Sequence, residues 1–342
     1  MIKKMIFNEN GQRGTEAMIN GNTTNLREWN RIKYSWARDF YRTMLNNFWI
    51  PEEISLSEDV KQFSYLTDGE RNAFDKIISF LNFLDSIQSE NLPNTARYIT
   101  AAEVSSLLNI QAFQEEIHAQ SYSYILDTVT NPITRDKIYD EWRKDEKLLE
   151  RNKFIAGIYE KFNREPETHN FLWVIMANYI LEGIYFYSGF SFFYTLARQG
   201  KMTATSGIFK YINRDEITHL VLFQNIIKEL RIENPNLFTK DLEEEFRNMM
   251  QTAVEHEIQW GQYVTNNEIL GLNNELIDRY IKYISNLRLT AIGLTPLYPE
   301  VSEHPMEWID GFSKLNNTKT DFFEAKVTNY TKSAAFDFDT LD

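Results

Sequence analysis

The chain has no cysteine in 342 residues. That excludes disulfides, thiolate metal sites, iron–sulfur clusters held by this chain alone, and any thiol nucleophile or dithiol redox centre within it. Glycine and proline are scarce at 13 and 8 residues, which points to long uninterrupted elements. Basic residues are the minority, 36 against 49 acids, for a net charge of −13 with no basic block. Nucleic acid and anionic membrane are therefore not expected partners. An alternating strand pattern is missing as well. The first residues, MIKKMIFNENGQ, hold too short an apolar run for a signal peptide, so a cytoplasmic location is expected.

What remains is a helical protein rich in rings, with 24 Phe, 18 Tyr and 7 Trp. Residues 1–25 read as a loosely ordered polar lead-in, 26–315 as one helical domain and 316–342 as a flexible tail. Helical periodicity predicts helices over 26–46, 68–90, 101–129, 133–162, 169–199, 204–231, 238–266 and 272–288. Breaks are expected at Leu92-Pro93-Asn94 and Asn131-Pro132. Between Phe171 and Ala197 the only charge is Glu182. The run is long enough to cross a bilayer, but it stands alone, and an ionised Glu at its centre would be costly in lipid. A helix buried on all sides of a bundle explains it better.

Glu182 is one of several acids on inward faces. Residues i, i+3, i+4 and i+7 share a helix face. One such stripe runs Leu108, Gln111, Glu115, His118, Tyr122, Ile125, Val129, and another runs Ile208, Ile212, Glu216, His219, Phe223, Ile226. A third is Phe74, Ile78, Leu81, Asp85, Gln88. Four helices thus each send an acid into an apolar interior. A buried carboxylate is too expensive unless it is paired or metal-bound. Four carboxylates cannot neutralise one another, whereas two divalent cations can.

Of the five histidines, only His118 and His219 have Glu three residues earlier. Asp85 precedes the first pair and Glu182 the second at similar distances, so one helix-pair plan repeats with a period of about 100 residues. Hard carboxylate oxygens with one imidazole per ion suit iron or manganese better than zinc. The plan differs in one place: Tyr122 follows His118 where Phe223 follows His219. That phenol is either a core ring whose hydroxyl bonds a ligand carboxylate, or a site that can lose an electron and a proton and persist as a radical in a dry pocket. Phe186 and Phe190 lie one and two turns past Glu182, and Ile212 one turn before Glu216, so all three are candidates for lining that cofactor pocket.

The segments FWIPEE (48–53), LDSIQ (84–88), FQEEIHAQSY (113–122), LEGIYFYSGF (181–190), INRDEITH (212–219) and FFEAKVTNY (322–330) together resemble the small, radical-generating subunit of class I ribonucleotide reductase over nearly the whole chain. The resemblance implies an all-α, ferritin-like bundle with a dinuclear site in a four-helix core. It implies that Asp85, Glu115, His118, Glu182, Glu216 and His219 are the metal ligands and that Tyr122 holds a tyrosyl radical. Trp49, Asp215 and His118 match the start of a long-range electron path, and Tyr330 matches a relay in the tail. Asp215 could equally serve by orienting an imidazole.

The implied activity is that of a ribonucleoside-diphosphate reductase beta subunit. The ion pair would react with oxygen, or with superoxide from an activator, to form the radical. The radical would then pass to the large (alpha) subunit, which holds the cysteines this chain lacks. Phe336, Phe338 and Leu341, spaced among acids, fit a docking peptide for that subunit. A homodimer is implied, and an activating flavoprotein is a candidate further partner. Gln111 stands where some members carry Trp, and the chain shows no additional N-terminal nucleotide-binding module. A ferritin-like di-metal oxidase or hydroxylase acting on its own substrate is the alternative within the class. An iron-storage or purely structural helical protein is the alternative from another class.

Overall fold

The computed structural model describes residues 1–313, so the expected tail 316–342, with Tyr330, Phe336, Phe338 and Leu341, lies outside the described residues. The described part is built of helices: α1 (Trp36–Asn46), α2 (Ser57–Ser64), α3 (Asp68–Ala96), α4 (Ala102–Val129), α5 (Pro132–Lys144) and α6 (Glu146–Arg164). These are followed by α7 (Thr168–Ile180), α8 (Tyr187–Arg198), α9 (Thr203–Glu233), α10 (Lys240–Thr265), α11 (Asn274–Ala291) and α12 (Trp308–Ser313). Isolated bridges such as Ile19 with Ile99 replace strands among the described residues. Four helical runs enclose the polar centre: α3, α4, α9 and the α7–α8 run. The bundle packs by its buried apolar faces, as expected for a chain that buries long amphipathic helices.

Several boundaries differ from the periodicity, each for a local reason. Helix α1 begins ten residues later than the pattern's start at residue 26. The Glu103 carboxylate on α4 accepts from the backbone amides of Lys33 (2.9 Å) and Tyr34 (3.2 Å), so these donors need no helical turn. At the other end of the lead-in, Met18 is fully buried and its carbonyl accepts from the Thr100 amide at 2.8 Å. No break occurs at Pro93. Helix α3 runs through it to Ala96 with Leu92 and Thr95 fully buried, so tertiary burial outweighs the bond that Pro93 cannot donate.

The expected helix 133–162 is two helices that meet at Asp145. One Asp145 oxygen caps α6 by accepting from the Lys147 (3.0 Å) and Leu148 (3.2 Å) amides. The other accepts from Lys76 and from the Tyr263 hydroxyl. The short helix α2 was not in the periodic reading.

The largest departure is inside the apolar run. Between α7 and α8 the helix widens into a π turn, Leu181–Tyr185, which carries Glu182. Such turns hold one extra residue and leave carbonyls partly unpaired. Arg288 on α11 donates through Nε to the Gly183 carbonyl (3.3 Å) and through Nη2 to the Tyr187 hydroxyl (2.7 Å). Gly183 lets α9 come close: a Cβ there would lie 2.9 Å from Leu220 Cδ1. The whole run Thr168–Arg198 is apolar and long enough to span a bilayer, yet it is buried in the bundle.

Just past the π turn, the Ser188 amide donates to Glu257 (2.8 Å), whose carboxylate pairs with Arg151. Both ions are buried, and the guanidinium lies over the rings of Phe80 (4.0 Å), Tyr185 (4.8 Å) and Trp260 (5.2 Å). Removing one partner strands the other charge in the core. Glu257→Ala is therefore expected to cost about 3–5 kcal/mol in urea unfolding, and a loss below about 1 kcal/mol would contradict the pairing.

Candidate metal centre

Six side chains from four helical runs converge in the bundle core, all fully buried: Asp85 (α3), Glu115 and His118 (α4), Glu182 (the π turn), Glu216 and His219 (α9). They form two overlapping sets, Asp85/Glu115/His118/Glu216 and Glu115/Glu182/Glu216/His219. Within each set, candidate ligand atoms lie within 4.8 Å of one another. Glu115 and Glu216 belong to both sets, as two carboxylates bridging a pair of ions would.

The imidazoles point the same way. His118 Nδ1 lies 3.0 Å from Glu216 Oε1, 3.2 Å from Glu115 Oε2 and 3.9 Å from Asp85 Oδ2. His219 Nδ1 lies 2.9 Å from Glu216 Oε2, 3.2 Å from Glu115 Oε1 and 3.8 Å from Glu182 Oε2. Each Nε2–H is turned away from the cluster. That of His118 donates to Asp215 Oδ2 at 3.4 Å, and that of His219 to Gln114 Oε1 at 3.0 Å. Outer hydrogen bonds of this kind fix the ring and its tautomer and leave Nδ1 free to ligate.

The donor set fits two cations by a direct test. Both Asp85 oxygens, Glu182 Oε2 and the Tyr122 hydroxyl are buried without a well-aligned hydrogen-bond partner, and Glu216 Oε1 meets only His118 Nδ1, at 3.0 Å. Unpartnered buried carboxylate oxygens on one small volume are what a pair of hard cations satisfies. Burial, and then the neighbouring Glu115 and Glu216 charges, hold Asp85 and Glu182 well above the ordinary carboxylate range. Burial also disfavours the Glu216 charge, but the two imidazoles outweigh it and pull Glu216 below that range. Both histidines are held above their ordinary value by the carboxylates around them, against the opposing effect of burial.

Tyr122 is fully buried on the same face of α4, and its hydroxyl interacts electrostatically with Asp85. Burial first, and then that charge, push the phenol well above its ordinary pKa. The ring facing Tyr122 is Phe209, at 6.0 Å, a residue the inward stripes did not single out. Phe190 packs on Phe209 (6.2 Å) and Phe186 stacks on Phe190 (5.9 Å), while Ile212 is buried nearby on α9.

Trp49 is buried, and its indole N–H donates to Asp215 Oδ2 at 2.8 Å, the same oxygen that receives His118. Arg214 holds the other Asp215 oxygen at 2.9 and 3.0 Å. The Trp49 ring also stacks on Tyr211 at 5.2 Å. Phe209 and Tyr211 carry no motif of their own and Gln114 stands in the 113–122 segment without an assigned role, so only their helical offsets from Ile212, Asp215 and Glu115 place them here.

In the metal-free protein, Asp85 and Glu182 keep their protons well above the usual carboxylate pKa near 4, and cations must displace them. The apparent Mn(II) affinity is therefore expected to rise with pH. The heat of binding should also scale with buffer ionisation enthalpy in titration calorimetry, and pH-independent binding without proton release would contradict the cluster's role.

A family model described as ribonucleotide reductase, small chain, matches residues 26–305. The ribonucleoside-diphosphate reductase subunit beta of Treponema pallidum (strain Nichols) is 50% identical over 337 residues, 97% of this chain and 96% of its own. The protein of the same name from Halalkalibacterium halodurans is 42% identical over 340 residues, covering 99% of each chain. Among solved structures, the ribonucleotide reductase R2 subunit from Clostridium botulinum superposes with a TM-score of 0.91 at 88% identity, over 92% of this chain and 99% of that one.

Proposed function

Because the chain belongs to the ribonucleotide reductase small-chain family, whose role is to generate the radical for ribonucleotide reduction, we propose that its six converging side chains hold two iron or manganese ions and that Tyr122 carries the radical. The observation that carries this reading is the shared pair Glu115 and Glu216 between two four-residue sets, with the partnerless Tyr122 hydroxyl beside Asp85. When bound, the ions supply the oxidising equivalent. The rest is done by the chain's own groups. Burial keeps the phenol protonated, so loss of its electron would release the Oη proton as well, on the side of Asp85, whose charge acts on that hydroxyl. Phe209, Phe190, Phe186 and Ile212 keep that pocket apolar and exclude water that would quench the radical.

The Trp49–Asp215–His118 line is read as the first stretch of the electron path between the site and the large subunit. Tyr330 is proposed as the relay beyond it, and Phe336, Phe338 and Leu341 as the docking peptide. Exposed Leu45, Phe48 and Phe113, the last two with stacked rings, support a protein partner on the face beside Trp49, and we assign it to a second copy of the chain. A cytoplasmic location and an activating flavoprotein complete the proposal. The alternative of a di-metal oxidase with its own substrate is not favoured.

Tyr122→Phe is expected to retain two ions per chain while losing the radical signal in electron paramagnetic resonance and all activity with the large subunit. Full activity would overturn the assignment. Removal of residues 331–342 should leave metal content unchanged and weaken association with the large subunit by at least about a hundredfold, about 2.7 kcal/mol. Unchanged affinity would refute the docking role.

A further inference from the structure

Glu182 differs from the other acids of the cluster in what holds its outer oxygen. Oε1 accepts from Gln88 Nε2 at 2.7 Å and from Gln111 Nε2 at 2.9 Å, whereas Oε2 has no hydrogen-bond partner and lies 3.8 Å from His219 Nδ1. Gln88 and Gln111 are both fully buried. Two amide donors on one carboxylate oxygen are charge-assisted bonds that resist rotation of the group.

The two glutamines are not equally anchored. Gln88 Oε1 accepts from the Tyr159 hydroxyl at 2.8 Å, and its Nε2 is shared with Asn178 Oδ1 at 3.1 Å. Asn178 is fixed in turn by donating to the Val174 carbonyl at 2.7 Å. Gln88 therefore has one amide orientation available, with its donor toward Glu182. Gln111 divides its donor between Glu182 and Glu115 Oε1 (3.2 Å), and its carbonyl oxygen is buried without a partner. It is the looser of the two. At the opposite end of the cluster, Asp85 has no hydrogen bond on either oxygen.

We infer that Gln88 and Gln111 restrict Glu182 to ligation through Oε2 alone, and that Tyr159 is a positioning residue that acts through Gln88. This rests on the reading of Glu182 as a ligand. It makes the cluster asymmetric: the Glu182 end is tethered, and any change in carboxylate binding mode falls to Asp85 and the bridging pair. Tyr159 is buried and its hydroxyl points inward to Gln88, so Tyr159→Phe removes that one bond with little change in side-chain volume.

The test is a Mn(II) titration of the metal-free full chain, followed by electron paramagnetic resonance, for wild type, Gln88→Leu, Tyr159→Phe and the double variant. Gln88→Leu is expected to weaken one of the two ions by about 10- to 100-fold. Tyr159→Phe should weaken the same ion by less, and the double variant should match Gln88→Leu alone. Wild-type affinities in both single variants, or additive losses in the double variant, overturn the inference.

Should Gln88→Leu fail to fold, Tyr159→Phe and the crystal structure of the Mn(II)-loaded wild type decide it, and Glu182 bound through both oxygens would overturn it. Glu182→Ala separates the two readings. Loss of an ion there with silent Gln88 and Tyr159 variants overturns only this inference, whereas full loading of Glu182→Ala overturns the ligand assignment itself.

Discussion

Everything in the centre of this bundle follows from the cost of placing ionisable oxygen where water is absent. Asp85, Glu115, Glu182 and Glu216 are sealed behind rings and aliphatic side chains. Their mutual repulsion can be relieved by protons or by cations, and the geometry favours cations because two of the acids are shared between two sets. The histidines present Nδ1 inward and have their other nitrogen occupied. This arrangement makes the interior a place where strong oxidising chemistry can be confined, and it places the Tyr122 phenol at its edge.

The rest of the fold serves that confinement. The buried Arg151–Glu257 pair ties α6 to α10 and, through the Ser188 amide, to the start of α8. Arg288 braces the wide turn from α11. A line of hydrogen bonds runs from His118 at the centre through Asp215 to the buried Trp49.

Much of this was legible in the sequence because helical period three to four exposes an acid among apolar neighbours at once. Asp85, Glu115, His118, Glu182, Glu216, His219 and Tyr122 could be singled out from stripes and spacing alone, and the family resemblance drew Trp49 and Asp215 to them. What was not legible depends on contacts remote in sequence. The start of α1 is set by Glu103, seventy residues away from Lys33. The break at Asp145 is set by Lys76 and Tyr263. Continuity through Pro93 is a matter of burial, which overrides a local signal. Gln88 and Gln111 sat on the inward stripes, but their hydrogen bonds to Glu182 need three helices in register. The π turn left no mark in the pattern, because an apolar run with one charge looks the same whether or not it contains an extra residue.

That extra residue changes how the run is phased. In an unbroken α-helix, eight positions turn the chain by about 800°, so Phe190 would sit about 80° off the direction of Glu182. Inserting one residue in Leu181–Tyr185 takes back about 100° and returns Phe190 to within about 20° of that direction. The same helical run can thus turn a carboxylate into the acidic cluster and, two turns on, a ring to the shell around Phe209. Straightening the turn into a regular α-helix without removing a residue would swing every side chain after it by about 100° around the axis and turn Phe190 away from the ring of Phe209, whereas deleting one residue there would leave that phase as it is.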